Sequence, residues 1–168
     1  QRLTRALNGT LPPDIVVTRM EDVSPRFQAQ YHAQHKRYQY RIVNGPAVLP
    51  FERRYVHHVR VPLNVALMRR EAGLLQGRHD FQAFCAAGSS VTDTRRTMTA
   101  VHVRRRADRL TIDLEGDGFL YHMVRRIVGT LIDIGRGHRP AGTMARILRT
   151  QDGRLLGPTA PAKGLCLV

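Results

Sequence analysis

Two adjacent arginines, Arg125 and Arg126, carry the sharpest chemical contrast in this 168-residue sequence. On a helix the neighbours of Arg125 include Tyr121, Val128 and Ile132, a largely apolar surface. A buried, unpaired guanidinium is costly, so Arg125 calls for a partner unless its head snorkels to water. Around Arg126 stand His122, Gly129, Thr130 and Asp133, which reads as a solvated helix face. Tyr38 and Tyr40 share one face of an alternating stretch. They are core aromatics, or, among arginines, a surface on which an unpaired base stacks. The remaining reactive types lack the company that chemistry needs. Asp80, Asp93, Asp113 and Asp117 show no paired-carboxylate spacing, and Ser89-Ser90 has no base beside it in sequence. Cys85 and Cys166 are isolated, which gives neither a disulfide framework nor a zinc pattern. The eight histidines, His57-His58 and His122 among them, read as surface or core residues rather than ligands.

The elements that must position these residues follow from periodicity. Leu110, Ile112 and Leu114 alternate as a strand, and Gly116-Asp117-Gly118 permits a sharp turn. That glycine pair lacks the spacing of a dinucleotide or phosphate-loop fingerprint, so it reads as a turn. Phe119, Leu120, Met123, Ile127, Leu131 and Ile134 then recur at three- and four-residue intervals, predicting a helix from Phe119 to a stop at Gly135, followed by Arg136 and Gly137. Upstream, Gln1–Asn8 reads as the tail of a helix and Ile15–Val23 as a strand. His35–Asn44 and Tyr55–Val61 read as strands, and Asn64–Gln76 as an amphipathic helix with Val65, Met68, Ala72 and Leu75 inward. Phe81–Thr92 is loop-like. Thr97–Arg105 and Arg109–Glu115 form two strands joined around Ala107-Asp108, Ala141–Thr150 a helix, and Leu165–Val168 the start of a strand. The order lacks a βαβ rhythm and predicts one α+β domain: a mostly antiparallel sheet with helices packed on one face.

Composition narrows the partner. The net charge is +14, and 25 of the 27 basic residues are arginines, Lys36 and Lys163 being the exceptions. Arginine's planar fork suits phosphate oxygens and stacks on bases, so a folded chain with this excess points to nucleic acid. Apolar runs fall short of the roughly 20 residues that cross a bilayer. The N-terminal residues carry no signal-peptide core, and a cytoplasmic location without membrane contact is expected. Charge does not separate DNA from RNA.

The segment 118–129, Gly-Phe-Leu-Tyr-His-Met-Val-Arg-Arg-Ile-Val-Gly, resembles the signature helix of the TruA-type tRNA pseudouridine synthases. Further likeness follows in order: Arg5-Ala-Leu-Asn-Gly-Thr-Leu-Pro-Pro-Asp-Ile, Lys36-Arg-Tyr-Gln-Tyr-Arg-Ile, Gly77-Arg-His-Asp-Phe-Gln-Ala-Phe, Thr94-Arg-Arg-Thr and Gly157-Pro-Thr-Ala-Pro-Ala-Lys-Gly-Leu. The resemblance implies the conversion of uridine to pseudouridine in the tRNA anticodon stem-loop, without metal or cofactor. It implies an aspartate nucleophile, a tyrosine stacked on the target base, and an arginine paired with the aspartate. Carried over by motif, the tyrosine is Tyr38, the arginine is Arg125, and Leu165 is the apolar residue at the pocket. Arg37, Arg96 and Arg126 become candidates for contact with RNA. A homodimer sharing one tRNA between two subunits is also implied. The family's nucleophile motif, Gly-Arg-Thr-Asp-Ala-Gly, does not occur, and neither Thr92-Asp93-Thr94 nor His79-Asp80 has its context. At Gln28 and Gln30 the family more often has histidine and arginine. Residues 1–168 are therefore expected to be the C-terminal part of a longer enzyme, inactive without an N-terminal half that brings the aspartate. The other readings are an inactive RNA-binding domain of the same fold and a general DNA-binding protein.

Overall fold

A computed structural model describes residues 2–29 and 32–168. The departure at Gln30 lies outside the described residues. Where the sequence reads as one domain, the chain forms two units, residues 1–33 and 34–168.

In the first unit, helix α1 (Arg2–Thr10) runs slightly past the expected stop at Asn8. The strand expected at Ile15–Val23 does not form. Its apolar residues Ile15, Val16 and Val23 stand exposed. The Asn8 amide instead grips Val17, donating to its carbonyl at 2.9 Å and accepting from its N–H at 2.8 Å. One side chain thus gives the backbone at Val17 the two bonds that a neighbouring strand would offer.

The second unit is built on a six-stranded sheet in which β1 (Lys36–Asn44) is the most shared strand. Its partner on one side is β5 (Arg109–Gly116), antiparallel, and β5 pairs in turn with β4 (Arg95–Arg106) and β4 with β3 (Gly77–Asp80). The other edge of β1 is divided: β6 (Leu165–Leu167) lies antiparallel beside Tyr38–Tyr40, and β2 (His57–Val59) parallel beside Ile42–Asn44. The sheet is mostly antiparallel, as the sequence predicts. Its inner face carries Tyr40, Ile42, Val103, Ile112 and Leu114, all buried. On the other face Asp113 is only 4% exposed, and its carboxylate sits between two arginines, Arg104 at 2.7 Å and Arg37 at 3.2 Å.

Three helices complete the unit: α2 (Val65–Gly73), α3 (Met123–Gly135) and α4 (Thr143–Thr150). Asn64 caps α2, its side chain accepting from the Leu67 N–H at 3.0 Å. The inward stripe Met123, Ile127, Leu131 and Ile134 of α3 is fully buried. Each such aliphatic side chain contributes about 2 kcal/mol. Glu71 of α2 is buried and accepts from the Gly142 and Met144 N–H groups at 2.7 and 3.1 Å, capping α4 from a neighbouring helix.

Helix α3 starts later than the sequence predicts and stops at the expected signal, whose second glycine takes the left-handed place. It begins at Met123 rather than Phe119, because His122 adopts a left-handed conformation, φ 58°, that no helix propagates through. Its last residue is Gly135, as expected, but the left-handed stop lies two residues on. Gly137, at φ 80°, donates to the Ile134 carbonyl, while His138 donates to that of Asp133, closing the helix as a Schellman turn. Gly135 is needed for a different reason: a Cβ there would stand 2.6 Å from Met68 Sδ on α2. β3 lies where only part of a family motif marked the chain, and it is too short for alternation to reveal. No helix among the described residues is long and apolar enough to cross a membrane.

Candidate functional site

Strand β1, strand β6, the turn before α3 and the first turns of α3 enclose a cavity of about 260 Å³. It is lined by Tyr38, Phe119, Tyr121, His122, Arg125 and Leu165, among others. Tyr38 comes from β1, where it pairs with Leu114 of β5 and Leu167 of β6. Alternation sends it to the same face as Tyr40, but nearer the strand's start, so it is half-buried while Tyr40 is sealed in. Its ring meets Phe119 edge-on, with centroids 5.0 Å apart at 89°. That contact fixes the ring plane without covering both of its faces. Leu165 opens β6 opposite Tyr40 and adds an apolar wall.

Arg125 has the partners its apolar surroundings demand, and none is a carboxylate. Its Nε donates to the Ala160 carbonyl at 2.6 Å, and the Ala160 N–H returns a bond to the Arg125 carbonyl at 3.1 Å. Nη1 lies 3.3 Å from His122 Nε2. Nη2 makes no hydrogen bond among the described residues. Arg125 is half-buried and not snorkelled free of the fold. The result is a guanidinium fixed on one side and open on the other, at the rim of the cavity. Such a group can hold a carboxylate by a charge-assisted hydrogen bond.

The segment after α4 sets this geometry through close approach. A Cβ on Gly129 would lie 1.8 Å from the Pro158 carbonyl oxygen, so only glycine lets residues 158–160 reach α3. Gly164 similarly lies under Tyr40, where a Cβ would fall 2.7 Å from Cζ. The Tyr40 hydroxyl donates to the Pro161 carbonyl at 2.7 Å. Burial pushes this phenol's pKa up, against a smaller lowering by the Arg125 charge. Tyr40 is therefore a neutral brace, as the core reading has it. Tyr38 is the tyrosine with an open side.

The three arginines proposed to meet RNA are placed apart from one another. Arg37 is exposed on the outer sheet face and tied to Asp113. Arg96 is half-buried, bonding backbone carbonyls of Asp93 and Arg95, and its side chain packs where a Cβ on Gly118 would come within 3.3 Å. Arg126 does not lie on a solvated face. Its Nη1 bonds the Ala83 and Cys85 carbonyls at 3.1 and 2.6 Å, pinning the loop after β3 to α3. Neighbours along one helix cannot reveal a loop arriving from elsewhere in the chain. The sequence reading also missed Phe119, Ala160 and His122 as parts of the site. His122 was expected on a helix surface, yet it precedes the helix and touches Arg125. Two signals lay in the sequence. Residues 119–123 follow two glycines closely, and histidine is among the few residues that tolerate the left-handed region.

The chain resembles known proteins over nearly its whole length. Residues 72–168 match a family model described as tRNA pseudouridine synthase. A protein from Shouchella clausii named tRNA pseudouridine synthase A is 49% identical over 99% of this chain and 64% of its own length. Proteins of the same name from Halalkalibacterium halodurans and Moorella thermoacetica are 46% and 45% identical, over 95% and 99% of this chain and 61% and 68% of their own lengths. The chain thus spans less than two-thirds of the first two of these relatives. With the match covering β3 through β6 and relatives near one-half identity, the chain belongs to the tRNA pseudouridine synthase family.

Proposed function

We propose that this chain is the C-terminal part of an enzyme that isomerises uridine to pseudouridine in the anticodon stem-loop of tRNA. One observation carries the reading: Tyr38, Arg125 and Leu165, selected by three separate motifs, line one cavity. In the reaction the C1′–N1 glycosidic bond breaks, the uracil turns, and a C1′–C5 bond forms. N1 ends with a proton and C5 loses one, so the product is an isomer and no oxidant or cofactor enters the balance. The aspartate that opens the sequence of steps comes from an N-terminal segment bearing the Gly-Arg-Thr-Asp-Ala-Gly motif. Arg125, with Nη2 unengaged, holds that carboxylate ionised and aimed. Tyr38 stacks on the uracil, offsets the cost of flipping it from the helix, and gives the C5 proton a route out. Leu165 and Phe119 keep water from the base. The isolated chain is accordingly inactive. A homodimer sharing one tRNA and a cytoplasmic location belong to the same reading and rest on the family resemblance.

Tritium release from C5-labelled uridine in tRNA tests the reading, with this chain alone and then mixed with a segment carrying the aspartate motif. Release only in the mixture, abolished by Arg125→Ala, is the expected result. Release by the chain alone would assign the nucleophile to a carboxylate within it. Binding of tRNA without release in either case would make the chain a binding module. That outcome is compatible with the absence of any carboxylate on Arg125 among the described residues.

A further inference from the structure

We propose that His122 is a positioning residue for Arg125. In its neutral tautomer protonated at Nδ1, it accepts a hydrogen bond at Nε2 from Arg125 Nη1 and so leaves Nη2 for the incoming carboxylate. The proposal rests on the role given to Arg125 above and adds a second residue to it. Three independent features point the same way. His122 holds φ at 58°, which sets it ahead of α3 and outside the helical path of Met123–Gly135. Its ring stacks on Tyr121, with centroids 4.0 Å apart at 22°, and the Tyr121 carbonyl is itself held by the Ala86 N–H at 3.0 Å. In this stacked orientation Nε2 lies 3.3 Å from Arg125 Nη1.

Chemistry selects the tautomer. A guanidinium has donors and no acceptor, so the contact is attractive only if Nε2 carries no proton. The other tautomer turns N–H against N–H, and the imidazolium sets two cations side by side. The other titratable groups lining the cavity are Tyr38, Tyr121 and Arg125 itself, with no carboxylate among them to offset a second positive charge. Together the Ala160 carbonyl at Nε and the His122 ring at Nη1 hold the planar fork at two points, which fixes its tilt as well as its place.

Two experiments test this. In the 168-residue chain, nitrogen-15 NMR of the His122 ring at neutral pH should show a protonated Nδ1 and an accepting Nε2. A protonated Nε2 overturns the proposal. In the enzyme with its aspartate-bearing segment present, His122→Ala should lower kcat about tenfold, the scale of one hydrogen bond to a charged group, with KM nearly unchanged. His122→Gln, whose uncharged Oε1 reaches where Nε2 stands, should restore most of that loss. Equal kcat values in all three proteins overturn the proposal, as does a Gln variant no better than Ala although both melt with the wild type. If no form turns over, the proposed activity fails, while the ring's tautomer still decides whether His122 holds Arg125.

Discussion

Replacing Gly129 by alanine tests whether the close approach of residues 158–160 to α3 sets up the Arg125 site. The new Cβ would sit 1.8 Å from the Pro158 carbonyl oxygen, 3.0 Å from its carbon and 3.1 Å from the Ala160 nitrogen. All three are backbone atoms, so no side chain can swing aside. The segment must move outward by more than an ångström, and overpacking of this kind costs roughly 3 kcal/mol. Alanine recovers about 1 kcal/mol as the better helix former. The net expectation is a loss of about 2 kcal/mol, or roughly 4–8 °C in melting temperature for a domain of this size. Gly73 gives the control: it lies at the exposed end of α2, where a Cβ would meet nothing within 4 Å, so Gly73→Ala should be neutral or slightly stabilising. Far-ultraviolet dichroism during urea unfolding measures both. Because the displaced segment carries the Ala160 carbonyl that holds Arg125 Nε, Gly129→Ala should also cut tritium release in the complemented enzyme. A Gly129→Ala protein as stable and active as the wild type would refute the reasoning.

Two further outcomes concern stability. Glu71→Ala removes the carboxylate that caps α4 through the Gly142 and Met144 N–H groups and leaves both without their acceptor. The expected loss is about 3 kcal/mol, read from the urea midpoint, and an unchanged midpoint would show that the cap is dispensable. His57 has its pKa lowered from 6.5 to about 4, first by burial and then by the charges of Arg136, Lys163 and His58. The unfolded chain therefore binds a proton at His57 that the folded chain refuses. Stability present above pH 6.5 should be lost as pH falls through about 4, and His57→Gln should flatten that part of the profile.

Much of the architecture lay open in the order of the residues. Strand β1, the β4–β5 hairpin and helix α2 are local patterns of period two or 3.6, each bounded by polar or turn residues. A chain that buries one face has few other ways to place them. The strand expected at Ile15–Val23 failed because alternation states a preference, whereas a strand also needs a partner, and the Asn8 side chain met the backbone's demand at Val17 instead. Tyr38 and Arg125 were marked by motif and, for Arg125, by apolar neighbours that required a hydrogen-bonding partner. What that partner is depended on contacts between residues far apart in sequence. Ala160 reaches Arg125 only because Gly129 lacks a side chain, and Arg126 holds a loop some forty residues upstream. His122 stands ahead of α3, in what reads as continuous helix, because it adopts a left-handed conformation. Sequence alone thus determined which residues must be buried or charged, since hydrophobicity and helix period are local properties. Tertiary structure decided which of them meet, because hydrogen bonds and steric fit act over a few ångströms between segments that only folding brings together.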